Sequence, residues 1–204
     1  NVQDAKNLLQ IDSAAPILAV MPGSRLSEVK IMTGLFLDVV LKLRTDMPNL
    51  QVVLPAASDT LYLELEKIIS EHPCKDIRLI NKQSRLAMTA ADAVLLTSGT
   101  TSLEAMLLKK PMVVSYKLGL LTYKIVAPFI HAPYIAIPNL LANRMLVPEF
   151  VQTDASAEKI GVAVRKMFDD NFSSRLAPQY DRLHRKLNIE SGALAAEAIV
   201  ELIT

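Results

Sequence analysis

Six short runs of apolar residues punctuate the chain, at residues 16–21, 51–54, 77–80, 93–97, 112–115 and 134–137. Each is continuous rather than alternating, the pattern of strands buried on both faces of a covered sheet. Between them the period changes. Over residues 28–45, Val29, Met32, Phe36, Val40 and Leu43 recur at helical spacing, while Lys30, Asp38 and Lys42 point away. Residues 59–70, 84–91, 101–109 and 119–129 are expected to be helices as well. Strand and helix therefore alternate, which predicts parallel strands joined by right-handed crossovers with helices on both faces. The expected fold is α/β, a Rossmann-like doubly wound parallel sheet of about six strands with C-terminal helices.

The pattern shifts after residue 137. A Pro- and Asn-bearing loop at 138–148 leads to helices near 157–168, 174–187 and 191–203, with Leu176, Tyr180, Leu183 and Leu187 in one stripe. Residues 16–172 read as the Rossmann-like domain, and the stripe on 173–204 marks helices that pack on something. At 204 residues the chain fits one domain with a self-standing core.

Lys and Arg number 22 against 21 acids, a net charge of +1 that offers no field for nucleic acid or another polyanion. Anion binding, if present, is local. Cys74 stands alone, which excludes a disulfide framework, and His72, His131 and His184 are too dispersed for a local metal motif. Neither metal nor cofactor is expected, and a reducing cytosol is the simplest setting. No run of 18 apolar residues occurs, and residues 1–12 lack the form of a signal peptide. Hydrophobic residues nevertheless make up 51% of the chain. Residues 118–138, with Leu120, Leu121, Tyr123, Ile125, Val126, Phe129 and Ile130, read as a buried helix or as a patch facing lipid.

Open parallel sheets bind ligands beyond the carboxyl ends of their strands, so strand-to-helix turns carry the chemistry. Met21-Pro22-Gly23-Ser24-Arg25 is one such turn, with Ser27 and Glu28 following. Gly23 permits close backbone approach and Arg25 can fork onto phosphate; equally, Ser24 or Ser27 could be an ordinary N-cap. The second turn, Thr97-Ser98-Gly99-Thr100-Thr101-Ser102-Leu103-Glu104, places four hydroxyls and a glycine at a helix start. Unpaired amides and the helix dipole there suit a diphosphate, and Glu104 lies one helical turn on, within reach of vicinal hydroxyls. A plain capping box between Thr101 and Glu104 is the alternative. Asn139, Arg144, Glu149 and Gln152 form a third cluster after the last strand, where turn-formers and solvated charges are the better reading of the residues alone; Tyr116 and Lys117 follow the fifth strand and suit a cleft or a plain surface equally well. Neither a GxGxxG nor a GxxxxGK[ST] loop occurs, which disfavours dinucleotide oxidoreductases and P-loop NTPases.

PGSRxxE in the first turn, SGTTSLEAM in the fourth, and PNLLANR with PEFVQ in the last together resemble the lipid-A-disaccharide synthase family, bacterial glycosyltransferases of the GT-B type. The likeness runs from Ile17 to about Leu202; Asn143 stands where that family often has a small residue. It implies binding of UDP-2,3-diacylglucosamine for transfer to an acylated sugar phosphate acceptor, 2,3-diacylglucosamine 1-phosphate. The product is the lipid A disaccharide, made at the cytoplasmic side of the inner membrane of a Gram-negative bacterium. On that resemblance Ser98, Gly99 and Thr100 cradle the diphosphate and Glu104 anchors the ribose. Arg25, with Ser24 beside it, acts on the phosphates, and Tyr116, Asn139, Arg144, Glu149 and Gln152 contribute donor contacts. The resemblance also implies that residues 1–15 are a linker from a missing N-terminal domain, and that the helices of 173–204 pack on the Rossmann-like domain, on the missing one or on a partner, a homodimer included. The catalytic base is expected in that missing domain, so the chain alone is expected to bind UDP weakly and to catalyse nothing. A UDP-sugar 2-epimerase-like enzyme and a noncatalytic nucleotide-binding module remain the alternatives.

Overall fold

The computed structural model describes residues 1–12, 14–119 and 133–187. Its strands are β1 (Ile17–Met21), β2 (Gln51–Ala56), β3 (Arg78–Asn81), β4 (Ala93–Leu96), β5 (Met112–Tyr116) and β6 (Glu149–Val151). All pair in parallel, in the order β3-β2-β1-β4-β5-β6. The helices are α1 (Val2–Leu8), α2 (Leu26–Asp46), α3 (Asp59–Glu71), α4 (Ser84–Ala90), α5 (Thr100–Leu107), α6 (Ile137–Ala142), α7 (Ala157–Met167) and α8 (Asp170–Leu187).

Every residue of β1 and β4 is buried, as their unbroken apolar runs require, because helices close both faces of the sheet. On one face α2, α3 and α7 cover Leu18, Val20, Val52 and Leu54. On the other, α1, α4, α5, α6 and α8 cover Ile17, Ala19, Val94 and Leu96. Helix α2 follows its predicted stripe: Val29, Met32, Phe36 and Val40 are wholly buried, and Lys30, Asp38 and Lys42 are exposed. Each large apolar side chain so buried contributes about 1.5–3 kcal/mol.

Two expectations are corrected. The sixth strand is Glu149–Val151, not residues 134–137. Pro138 cannot donate to a ladder and stands in the first turn of α6, while the amides of Ile135 and Ala136 donate to the Glu149 carboxylate instead of to a strand. The expected loop at 138–148 accordingly holds most of a short helix. Residues 1–15, read as a linker, include α1, whose Asn1 and Asp4 form a capping box and whose Ala5, with Leu9 and Ile11 after it, is buried against the domain. Helix α8 packs on α5, α6 and α7 through Leu176, Tyr180 and Leu183, so the tail as far as Leu187 docks on this domain itself. The helix expected over 191–203, and that over 119–129 apart from Gly119, lie outside the described residues.

Candidate functional site

From β1 the chain builds outward through β2 to β3, and from β4 through β5 to β6. The direction of winding reverses between β1 and β4, where the departing turns leave a crevice at the carboxyl ends. Met21 pairs with Leu96, and the amide of Thr97 donates to the Met21 carbonyl at 3.0 Å, setting the two turns side by side. Between them opens a cavity of about 430 Å³, lined by Gly23, Ser24, Arg25 and Glu28 on one side and residues 98–101 with Glu104 on the other. Pro55, Ala57 and Ser84 line it as well.

The β4–α5 turn is built around Gly99, whose φ of +124° and ψ of −163° lie in a region reserved in practice for glycine. Gly99 is the N-cap, and no side chain caps the helix. Ser98 Oγ donates to the Ile135 carbonyl at 2.8 Å, and Ser102 Oγ donates to the Gly99 carbonyl at 2.8 Å while accepting from the Ile137 amide at 3.1 Å. These bonds tie the turn to the segment entering α6. The Thr101–Glu104 capping box does not form; Glu104 stands exposed at the cavity rim. Among the described residues the amides of Thr100 and Thr101 have no protein acceptor, so the positive end of α5 faces the crevice unneutralised.

The β1–α2 turn is different. Neither Ser24 nor Ser27 caps α2; Arg25 is the N-cap residue and Glu28 folds back over the turn. Glu28 Oε2 accepts from the amides of Ser24 at 3.1 Å and Arg25 at 3.3 Å, and Oε1 accepts from Arg25 Nη1 at 3.2 Å and Tyr116 Oη at 3.3 Å. The Ser24 and Arg25 amides of this turn are therefore taken. Burial, followed by the Glu28 carboxylate, pushes the Tyr116 phenol above its usual range.

The third cluster is arranged around backbone. Asn139, fully buried, donates from Nδ2 to the Val147 carbonyl at 2.8 Å and Glu149 Oε1 at 2.7 Å, and accepts at Oδ1 from the amides of Leu146 and Val147. Gln152 accepts from the Leu118 amide at 3.2 Å, and Arg144 reaches Gln179 on α8. None of these four lines the cavity, nor does Tyr116, which meets it only through Glu28. Sequence reasoning missed Pro55, Ala57 and Ser84, which carry no local chemical signal. It also missed the inward fold of Glu28, whose one signal was its place three residues after Arg25.

A parallel sheet wound in this order, with its open crevice at β1 and β4, is a Rossmann-like doubly wound fold, the arrangement of each half of a GT-B glycosyltransferase. Solved structures share it: WaaG, a glycosyltransferase involved in lipopolysaccharide biosynthesis, superposes with a TM-score of 0.59 over 96% of this chain and 49% of its own, at 15% identity. The E. coli ADP-heptose lps heptosyltransferase II does so with a TM-score of 0.57 over 82% of this chain and 50% of its own, at 13% identity.

A family model for lipid-A-disaccharide synthetase matches residues 1–202. The lipid-A-disaccharide synthase of Chromohalobacter salexigens is 44% identical over 203 residues, 98% of this chain and 53% of that protein. That of Hahella chejuensis is 40% identical over 196 residues, 96% of this chain and 50% of that protein. The chain belongs to the lipid-A-disaccharide synthase family, and it spans about half the length of the curated relatives it matches.

Proposed function

We propose that this chain is the donor-binding half of a lipid-A-disaccharide synthase, holding UDP-2,3-diacylglucosamine while its sugar passes to 2,3-diacylglucosamine 1-phosphate with release of UDP. The observation that carries this reading is the uncapped N-terminus of α5 at the point where the winding reverses, with Glu104 one turn along the same cavity rim. Free amides of Thr100 and Thr101 and the dipole of α5 suit the diphosphate, and they gain most as negative charge develops on the departing UDP. Arg25, whose side chain is 77% exposed, can add its remaining donors to the same oxygens. Glu104 suits the ribose hydroxyls. The relatives' further length would supply the acceptor wall and the base, because the chain spans about half of those proteins. Leu140, Leu141 and Met145, exposed and following the apolar stretch 118–138 in the sequence, support peripheral contact with the inner membrane and acyl chains. No helix among the described residues is long and apolar enough to cross a membrane.

Calorimetric titration with UDP, UMP and ADP tests the reading. Saturable binding that prefers UDP, and that Glu104→Ala weakens about tenfold, or about 1.4 kcal/mol, is the expected result. A folded sample that binds none of the three, or a Glu104→Ala variant that binds UDP as well as the parent, would overturn it.

A further inference from the structure

Two strand-to-helix turns meet at the crevice, and only one presents free amides. The other already holds an anion, the carboxylate of Glu28. That residue is 9% exposed, and its two oxygens receive four donors: the Ser24 and Arg25 amides, the Arg25 guanidinium and the Tyr116 hydroxyl. Glycine makes the space, because a Cβ on Gly23 would lie 2.5 Å from Glu28 Cβ and 2.6 Å from Oε2. A phosphate could enter this turn only by displacing a buried carboxylate from all of these partners and by approaching its charge.

We infer that Glu28 is a specificity-determining residue: its carboxylate occupies the anion position of the β1–α2 turn, so that phosphate is admitted only at the N-terminus of α5. The inference deepens the donor-site reading and rests on it for the placement of the diphosphate. Its consequence is a single register. A diphosphate facing two equivalent anion cradles could bind in either direction, and the sugar would then leave the reacting position. With the first turn closed, the α5 turn is the one of the two left to the phosphates, and Arg25 is presented from the rim with one of its five N–H donors held by Glu28.

Titration of the ¹⁵N-labelled protein with inorganic phosphate, followed by the amide resonances, tests this directly. In the wild type the Thr100 and Thr101 amides are expected to shift while Ser24 and Arg25 stay still. In Glu28→Gln, which keeps the shape and removes the charge, Ser24 and Arg25 are expected to respond too, with phosphate affinity rising about tenfold. Glu28→Asp, which restores the charge, is expected to silence them again. Ser24 and Arg25 shifting in the wild type would overturn the inference. So would a Glu28→Gln variant in which they remain still, or one that binds phosphate and UDP more weakly in parallel. Failure of Thr100 and Thr101 to respond at all would count against the donor site alone, since the Ser24 and Arg25 resonances of Glu28→Gln decide the role of Glu28 independently.

Discussion

Gly23 and Gly99 hold nearly the same positive φ, +125° and +124°, yet make different demands. Around Gly99 nothing lies within 4 Å of an added Cβ, so Gly99→Ala meets only backbone strain, about 1–3 kcal/mol. At Gly23 the added methyl meets Glu28 as well. Gly23→Ala should therefore destabilise the fold more than Gly99→Ala, by about 1–3 kcal/mol in urea denaturation. The coupling of Glu28 to Tyr116 has its own signature. Because the carboxylate adds to burial in raising the Tyr116 phenol, Glu28→Gln should lower that pKa without returning it to the ordinary value, as read from tyrosinate absorbance against a Tyr116→Phe reference.

At the scale of elements, the segment from α6 to β6 is held together by one side chain. Asn139 satisfies the amides of Leu146 and Val147 and the Val147 carbonyl, and meets the Glu149 carboxylate that in turn fixes the amides of Ile135 and Ala136. Asn139→Ala leaves several buried backbone groups unpaired at about 1–3 kcal/mol each. A total loss of about 3 kcal/mol or more is expected in urea denaturation. The Ser98 and Ser102 bonds to the carbonyl of Ile135 and the amide of Ile137 then carry the disturbance into the α5 turn, so UDP affinity should fall with it. Helix α8 depends likewise on Tyr180, wholly buried against the second face of the sheet.

Across the whole molecule, Tyr180 also sets a response to alkali. Burial drives its phenol far above the ordinary value of 10.0, and its hydroxyl has no hydrogen-bond partner among the described residues. Unfolded, it ionises near 10; folded, it stays protonated, so the folded state binds more protons above that pH. Its contribution is complete below pH 10 and is lost as pH rises, by about 1.4 kcal/mol per pH unit. Tyr180→Phe should flatten this alkaline slope in urea midpoints measured on either side of pH 10, and should cost little at neutral pH because no hydrogen bond is broken.

The sheet and its dominant helices were legible because burial on both faces leaves unbroken apolar runs and burial on one face leaves a helical stripe, and β1, β2, β4, β5 and α2 carry those patterns plainly. Strand β6 was not: three residues beginning with Glu149 bear no period, and their place was decided by the Asn139–Glu149 bonds and by Pro138 turning residues 137–142 into helix. The α5 turn could be found from its glycine and hydroxyls, but whether Thr101 and Glu104 closed on each other was open until the backbone around Gly99 left the amides free. What only the tertiary structure decided is the inequality of the two turns. Glu28 fills one because Gly23 makes room beside it and Tyr116 arrives from β5, 88 residues along the chain, and pairing across that distance leaves no mark in local sequence.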